Sequence, residues 1–209
     1  ATGFGAEAKT EVLRDGVVVE TVAGNPLDFI ESYQRRFKVA LRPGMPRFCG
    51  GLAGYFGYDT VRHIEKKLAQ SCPPDDLGMP DIHLLHCEEL AVIDNLSGKL
   101  HLMVYADPSQ PEAYARAEGR LADLKARLNV PVQVPLVQVQ PHAAEIRPYA
   151  KEDFLAAVER AQGLIRAGDF MQIVMGQRIS KPYTQSPLSL YRALRTLNPS
   201  PYMYYYHLD

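Results

Sequence analysis

The chain of 209 residues has almost no net charge, few cysteines and no long apolar run, and each shortage excludes something. With a formal net charge of -1 there is no bulk electrostatic case for nucleic acid or an anionic membrane surface as partner. No apolar run approaches the ~20 residues of a membrane-spanning helix. Three cysteines, Cys49, Cys72 and Cys87, are an odd count with no repeating spacing, which indicates reduced thiols in a cytoplasm-like compartment. The opening residues, Ala1-Thr2-Gly3-Phe4-Gly5, lack the basic and apolar regions of a signal peptide. They also lack an initiator Met, as expected of a chain missing its natural beginning. What remains is ordinary for a soluble globular protein: 46% hydrophobic and 22% charged residues, enough chain for one large domain or two small ones.

Residues 10–22 alternate about Asp15-Gly16, which predicts a hairpin. Asn25-Pro26 reads as the cap and first residue of a helix with Leu27, Ile30, Tyr33 or Gln34, and Phe37 on its apolar stripe. Arg35, Arg36 and Lys38 then suit the helix C-terminal dipole. Residues 61–69 suggest a short helix. Residues 82–93 and 99–105 suggest two strands joined by Asp94-Asn95-Leu96-Ser97-Gly98, and 112–128 a helix. Composition then shifts: 129–148 carries Pro131, Pro135, Pro141 and Pro148 among Val and Gln, and reads as an extended linker. A helix over 151–167 turns Phe154, Leu155, Val158 and Ile165 inward and stops at Gly168. Alternation over 170–179 predicts a strand, and Ser186-Pro187 opens a helix ended by Asn198-Pro199.

Most clusters of reactive side chains have plain structural readings. Gly50-Gly51-Leu52-Ala53-Gly54-Tyr55-Phe56-Gly57-Tyr58-Asp59 lacks the Gly-Lys-Ser/Thr or G-x-G-x-x-G of a phosphate loop, and reads as a strand whose glycines admit close approach. On a strand His83 and Cys87 share one face while His86 takes the other, which is not a metal-ligand set. Glu88-Glu89 and Asp75-Asp76 are adjacent carboxylates rather than an acid/base pair, and no nucleophile elbow exists. The segment Asn198-Pro199-Ser200-Pro201-Tyr202-Met203 is different. Its prolines leave backbone groups unpaired, and its tyrosine and methionine supply polarizable surface, a combination suited to a small zwitterion or an aromatic side chain. The plain alternative is a buried helix-to-strand connection. The run Tyr202-Met203-Tyr204-Tyr205-Tyr206 that follows reads as a strand in need of partners, so the chain is expected to be cut within a domain.

Four stretches, in order and in spacing, resemble anthranilate synthase component I. They are Gly50 through Asp59 as spelled out above, Arg166-Ala167-Gly168-Asp169-Phe170-Met171-Gln172-Ile173-Val174-Met175-Gly176-Gln177-Arg178, Leu190-Tyr191-Arg192-Ala193-Leu194-Arg195, and Asn198 onward through Tyr205. The Asn-Pro-Ser-Pro-Tyr-Met motif discriminates most, since the sister aminodeoxychorismate synthase component I usually departs from it after the second proline. The resemblance implies an α+β fold of antiparallel β-sheets packed face to face with flanking helices. It divides the chain into an amino-terminal regulatory-type region (1–128), a linker (129–148) and the start of a chorismate-utilising domain (149–209). It implies a cytoplasmic lyase of tryptophan biosynthesis that converts chorismate and ammonia to anthranilate and pyruvate. Ammonia would come from a glutamine amidotransferase subunit, Mg2+ would bind the substrate carboxylate, and L-tryptophan would inhibit by feedback. The family's substrate loop, catalytic histidine and Mg2+-binding glutamates lie downstream of anything in this sequence, so no catalytic residue is carried over and the piece alone is expected to be inactive. Part of the tryptophan site is carried over, onto Pro201, Tyr202 and Met203. The rival readings are the aminodeoxychorismate synthase analogue and a non-catalytic regulatory or docking module.

Overall fold

The computed structural model describes residues 8–69, 71–72, 74–132 and 144–208. Its contacts divide the chain into two units, Ala1–Pro131 and Val132–Asp209. Of the expected linker at 129–148, residues 133–143 lie outside the described residues.

The first unit opens with a hairpin of β1 (Lys9–Arg14) and β2 (Val17–Ala23). Asp15 and Gly16 have φ of 52° and 75°, the left-handed pair that a two-residue turn of matching twist requires. The register slips between Val12 and Leu13, so a bulge lies where an unbroken ladder is expected. Helix α1 (Pro26–Gln34) starts as the sequence predicts: the Asn25 side chain accepts from the Leu27 amide at 3.0 Å. Such a cap contributes about 1 kcal/mol. The helix ends before Phe37, and Arg36 turns from the helix terminus to Glu20 on β2, at 2.6 and 2.8 Å.

Strand β3 (Gly51–Phe56) pairs antiparallel with β4 (Ile82–Cys87). The expected helix over 61–69 is instead two 3-10 turns, Tyr58–His63 and Lys66–Leu68, separated by Glu65 in an extended conformation. Arg62 ties them together by donating to the Asp59 carboxylate at 2.7 Å and the Leu68 carbonyl at 2.6 Å. The single strand expected over 82–93 is two. The chain breaks at Glu88, β5 (Glu89–Asp94) pairs with β6 (Lys99–Val104), and helix α2 (Ala113–Arg127) packs on β6. The break is needed because the two halves serve different partners. Among the described residues of this unit, Ala8, Thr10, Pro26, Thr60 and Ile82 are buried.

The second unit contains α3 (Lys151–Ala167), stopped by Gly168 at φ 87°, and α4 (Pro187–Leu197). Ala161 is buried on α3, but Leu155 and Ile165, expected inward, are 51% and 38% exposed. The strand expected over 170–179 is absent. Alternating side chains favour extended backbone, but a strand also needs a partner's amides and carbonyls. Among the described residues only Ile146 supplies them, to Ser180, at 2.8 and 2.9 Å. The tyrosine run after Pro201 likewise forms no ladder.

Two glycines test this packing. A Cβ at Gly54 would stand 2.0 Å from the His83 carbonyl oxygen, whereas one at Gly119 on α2 meets nothing within 4 Å. In thermal and denaturant unfolding, Gly54→Ala is expected to destabilise by about 3 kcal/mol through overpacking. Gly119→Ala is expected to stabilise by up to about 1 kcal/mol through helix propensity.

Candidate functional site

Two places bring together the residues that the sequence singles out. The first is the glycine-aromatic strand β3. Gly50 has φ 138°, and a Cβ there would lie 2.7 Å from the Tyr105 ring and 3.1 Å from the Cys87 carbonyl oxygen. The glycine thus admits a ring, as the strand reading expects, and Tyr105 donates its hydroxyl to the Cys49 carbonyl. Burial first, and the Cys49 side chain second, hold the Tyr105 phenol above its ordinary pKa. At the strand's far end the Pro80 and Asp81 carbonyls gather donors. Tyr55 donates its hydroxyl to Pro80 at 2.9 Å, and Gly57 its amide to Asp81 at 2.7 Å. Burial, with Asp59 nearby, pushes the Asp81 carboxyl above its ordinary pKa. Each contact serves the strand, and the geometry is that of a structural clamp.

The histidines are absorbed into packing. His86 faces Phe37, with centroids 4.3 Å apart, and Tyr33 at 5.9 Å, while His83 sits 6.3 Å from Tyr55. Glu89 pairs with Arg120, and Asp75 accepts the amides of Leu77 and Gly78 at 2.9 and 3.1 Å. Among the described residues no group of three or more His, Cys, Asp or Glu is placed to hold a metal ion.

The second place is the segment after α4. The Asn198 amide still donates to the Leu194 carbonyl at 2.9 Å, closing the helix. The chain bends at Asn198 and again at Pro201 and Tyr202. Pro201 is exposed, Tyr202 is 87% exposed and Met203 is half-buried. Among the described residues the segment stands at the surface. Tyr205 returns to α4, its ring 5.8 Å from that of Tyr191, while Tyr204 and Tyr206 stack on each other at 5.3 Å. Sequence reasoning missed the Tyr191 contact. No local signal marks it, because it depends on how far the chain reverses.

These features sit in a known frame. Residues 4–209 match the chorismate binding enzyme family, and the chain belongs to it. Within that class it is 50% identical over 199 residues to the anthranilate synthase component 1 of Neisseria meningitidis serogroup B, covering 94% of this chain and 40% of that protein. It is 46% identical over 202 residues to the Pseudomonas putida protein of the same name, covering 94% of this chain and 41% of that protein. The solved structure of anthranilate synthase component I from Streptococcus pneumoniae superposes with a TM-score of 0.75 at 31% identity, over 95% of this chain and 45% of that one. The chain thus spans about 40% of the length of the curated relatives it matches. The α+β class expected from the resemblance holds, here with three antiparallel sheets of two strands each among the described residues.

Two kinds of carboxyl give opposite pH signatures. Ser97 holds the Asp94 carboxyl, and Arg36 the Glu20 carboxyl, below the ordinary range. Their contribution to stability is present above the unfolded carboxylate pKa of about 4 and is lost as pH falls through the lowered folded value. Asp81 is raised, so it opposes folding once pH exceeds the unfolded value. Unfolding measured across pH 3–7 is expected to show Asp94→Asn losing stability at pH 7. Asp81→Asn is expected to gain stability at pH 7 and to match the parent at pH 3.

Proposed function

We propose that this chain is part of an anthranilate synthase component I. The whole protein would add ammonia to chorismate and eliminate pyruvate, giving anthranilate for tryptophan synthesis, with ammonia from a glutamine amidotransferase subunit. The observation that carries this reading is the 50% identity, over 94% of the chain, to a protein named anthranilate synthase component 1. A component 1 presupposes a second component. Within this reading residues 1–128 are a regulatory-type region, 129–148 a linker and 149–209 the start of the chorismate-utilising part. No described helix is long and apolar enough to cross a membrane. The enzyme of this reading would be cytoplasmic. In the whole protein Mg2+ would bind the substrate carboxylate. By the same reading residues 1–209 alone do not turn over chorismate.

Pro201, Tyr202 and Met203 are assigned to the feedback site for L-tryptophan. Their support is chemical. An exposed tip with a fixed backbone, a phenol and a thioether suits the indole and the charged ends of an amino acid. Binding there inhibits at a distance if tryptophan prefers one of two arrangements of the protein.

Two assays test the proposal on the full-length protein. With chorismate, Mg2+ and ammonium, chromatography is expected to identify anthranilate. Para-aminobenzoate would move the chain to the aminodeoxychorismate synthases, and no aromatic product would return it to the non-catalytic reading. Met203→Thr is expected to raise the half-inhibiting tryptophan concentration on the order of tenfold, the effect of losing one or two buried methylene contacts. Unchanged inhibition would remove Met203 from the site.

A further inference from the structure

The segment assigned to tryptophan meets the helix before it at two points. Its start is fixed where the Asn198 amide closes the last turn of α4 on Leu194. Its end is fixed where the Tyr205 ring meets Tyr191, tilted by 46°. Tyr191 precedes Asn198 by two helical turns, so it lies on the same side of α4, about 10 Å back along the axis. Residues 199–204 must therefore leave the helix, reverse and return over the face just traversed. The bends at Pro201 and Tyr202 make that reversal, which is why these side chains stand at the exposed tip. Pro199 and Pro201 stiffen the loop, since each fixes its own φ and restricts the residue before it. A stiff loop pinned at both ends has few shapes. Its tip is placed chiefly by the register of the returning chain, and in the described residues the Tyr191–Tyr205 contact sets that register.

We propose that Tyr191 is a positioning residue for the effector site at Pro201, Tyr202 and Met203. It acts through Tyr205 to hold the loop in its binding shape before tryptophan arrives. The inference rests on the tryptophan reading of that segment. Removing the clamp leaves every proposed ligand contact in place but lets the loop take other shapes, and apparent affinity falls by the fraction that remains competent. An aromatic pair of this kind contributes enough to change that fraction about threefold to tenfold.

The test uses the full-length protein and the tryptophan concentration giving half-inhibition, read against each variant's own uninhibited rate. Tyr191→Ala and Tyr205→Ala are each expected to raise it threefold to tenfold, and the double variant no further, because both remove one contact. Tyr191→Phe keeps the ring and is expected to restore parental inhibition, which a hydroxyl-dependent structural role would not allow. Met203→Thr runs beside them. If Met203→Thr relieves inhibition while both alanine variants leave it unchanged, the positioning role is overturned and the site stands. If Met203→Thr and the alanine variants all leave inhibition unchanged, the site itself falls and the positioning role with it. Should Tyr191→Ala fail to fold, Tyr205→Ala decides alone.

Discussion

The amino-terminal unit depends on one meeting point, where the Tyr105 hydroxyl donates to the Cys49 carbonyl. Three pieces of chain converge there. The approach to β3 contributes Cys49 and Gly50, the break between β4 and β5 contributes Cys87 and Glu88, and the end of β6 contributes Tyr105. The Tyr105 amide donates to the Glu88 carbonyl at 3.0 Å, so one residue bonds both neighbouring pieces. Each contact alone is modest, about 1 kcal/mol net for a hydrogen bond. Their effect is geometric. β4 can leave β3 and continue as β5 beside β6 only if the break at Glu88 is held, and only a glycine at 50 leaves room for the ring that holds it.

How much of this could be read beforehand divides along a physical line. Elements set by contacts a few residues apart were legible. The Asp15-Gly16 turn, the Asn25 cap, the Gly168 stop and the Asp94-Asn95-Leu96-Ser97-Gly98 turn all stand where the sequence places them. Features set by distant partners were not. Nothing in the run 82–93 announces that its halves pair with different strands, and the bulge at Val12 and Leu13 answers to β2 rather than to β1 alone. The turns over 58–68 illustrate the same point. The sequence over 61–69 suggests a short helix, but Arg62 binds carboxylate and carbonyl groups on both sides of itself and holds two short 3-10 pieces.

The candidate effector segment follows the same rule. Its chemistry was visible in the sequence, because prolines, tyrosine and methionine carry their properties with them. Its presentation was not. The sequence left open whether Asn198 begins a buried connection or an exposed loop, and the answer depends on Tyr205 finding Tyr191. An effector loop benefits from such an arrangement. Rigid backbone lowers the ordering cost of binding, and an anchor on a helix ties ligand occupancy to an element able to move as a body.

Local preference and pairing are separable requirements, and the carboxy-terminal unit displays the separation twice. Residues 170–179 and the tyrosines after Met203 both have the alternating or aromatic composition that strands favour. Neither forms a ladder among the described residues. Of the apolar side of the alternation, Met171 is 97% and Ile173 45% exposed and only Met175 is half-buried, so that side buries little. Where a partner is within reach, even a single one suffices to start a ladder: Ile146 and Ser180 exchange both backbone hydrogen bonds. That bridge lies just past the segment, at Ser180, and among the described residues 170–179 itself makes none. The tyrosines behave differently for the same reason. Without a ladder they turn to one another and to α4, and that substitution of ring contacts for strand pairing is what folds the Pro201 tip back over its helix.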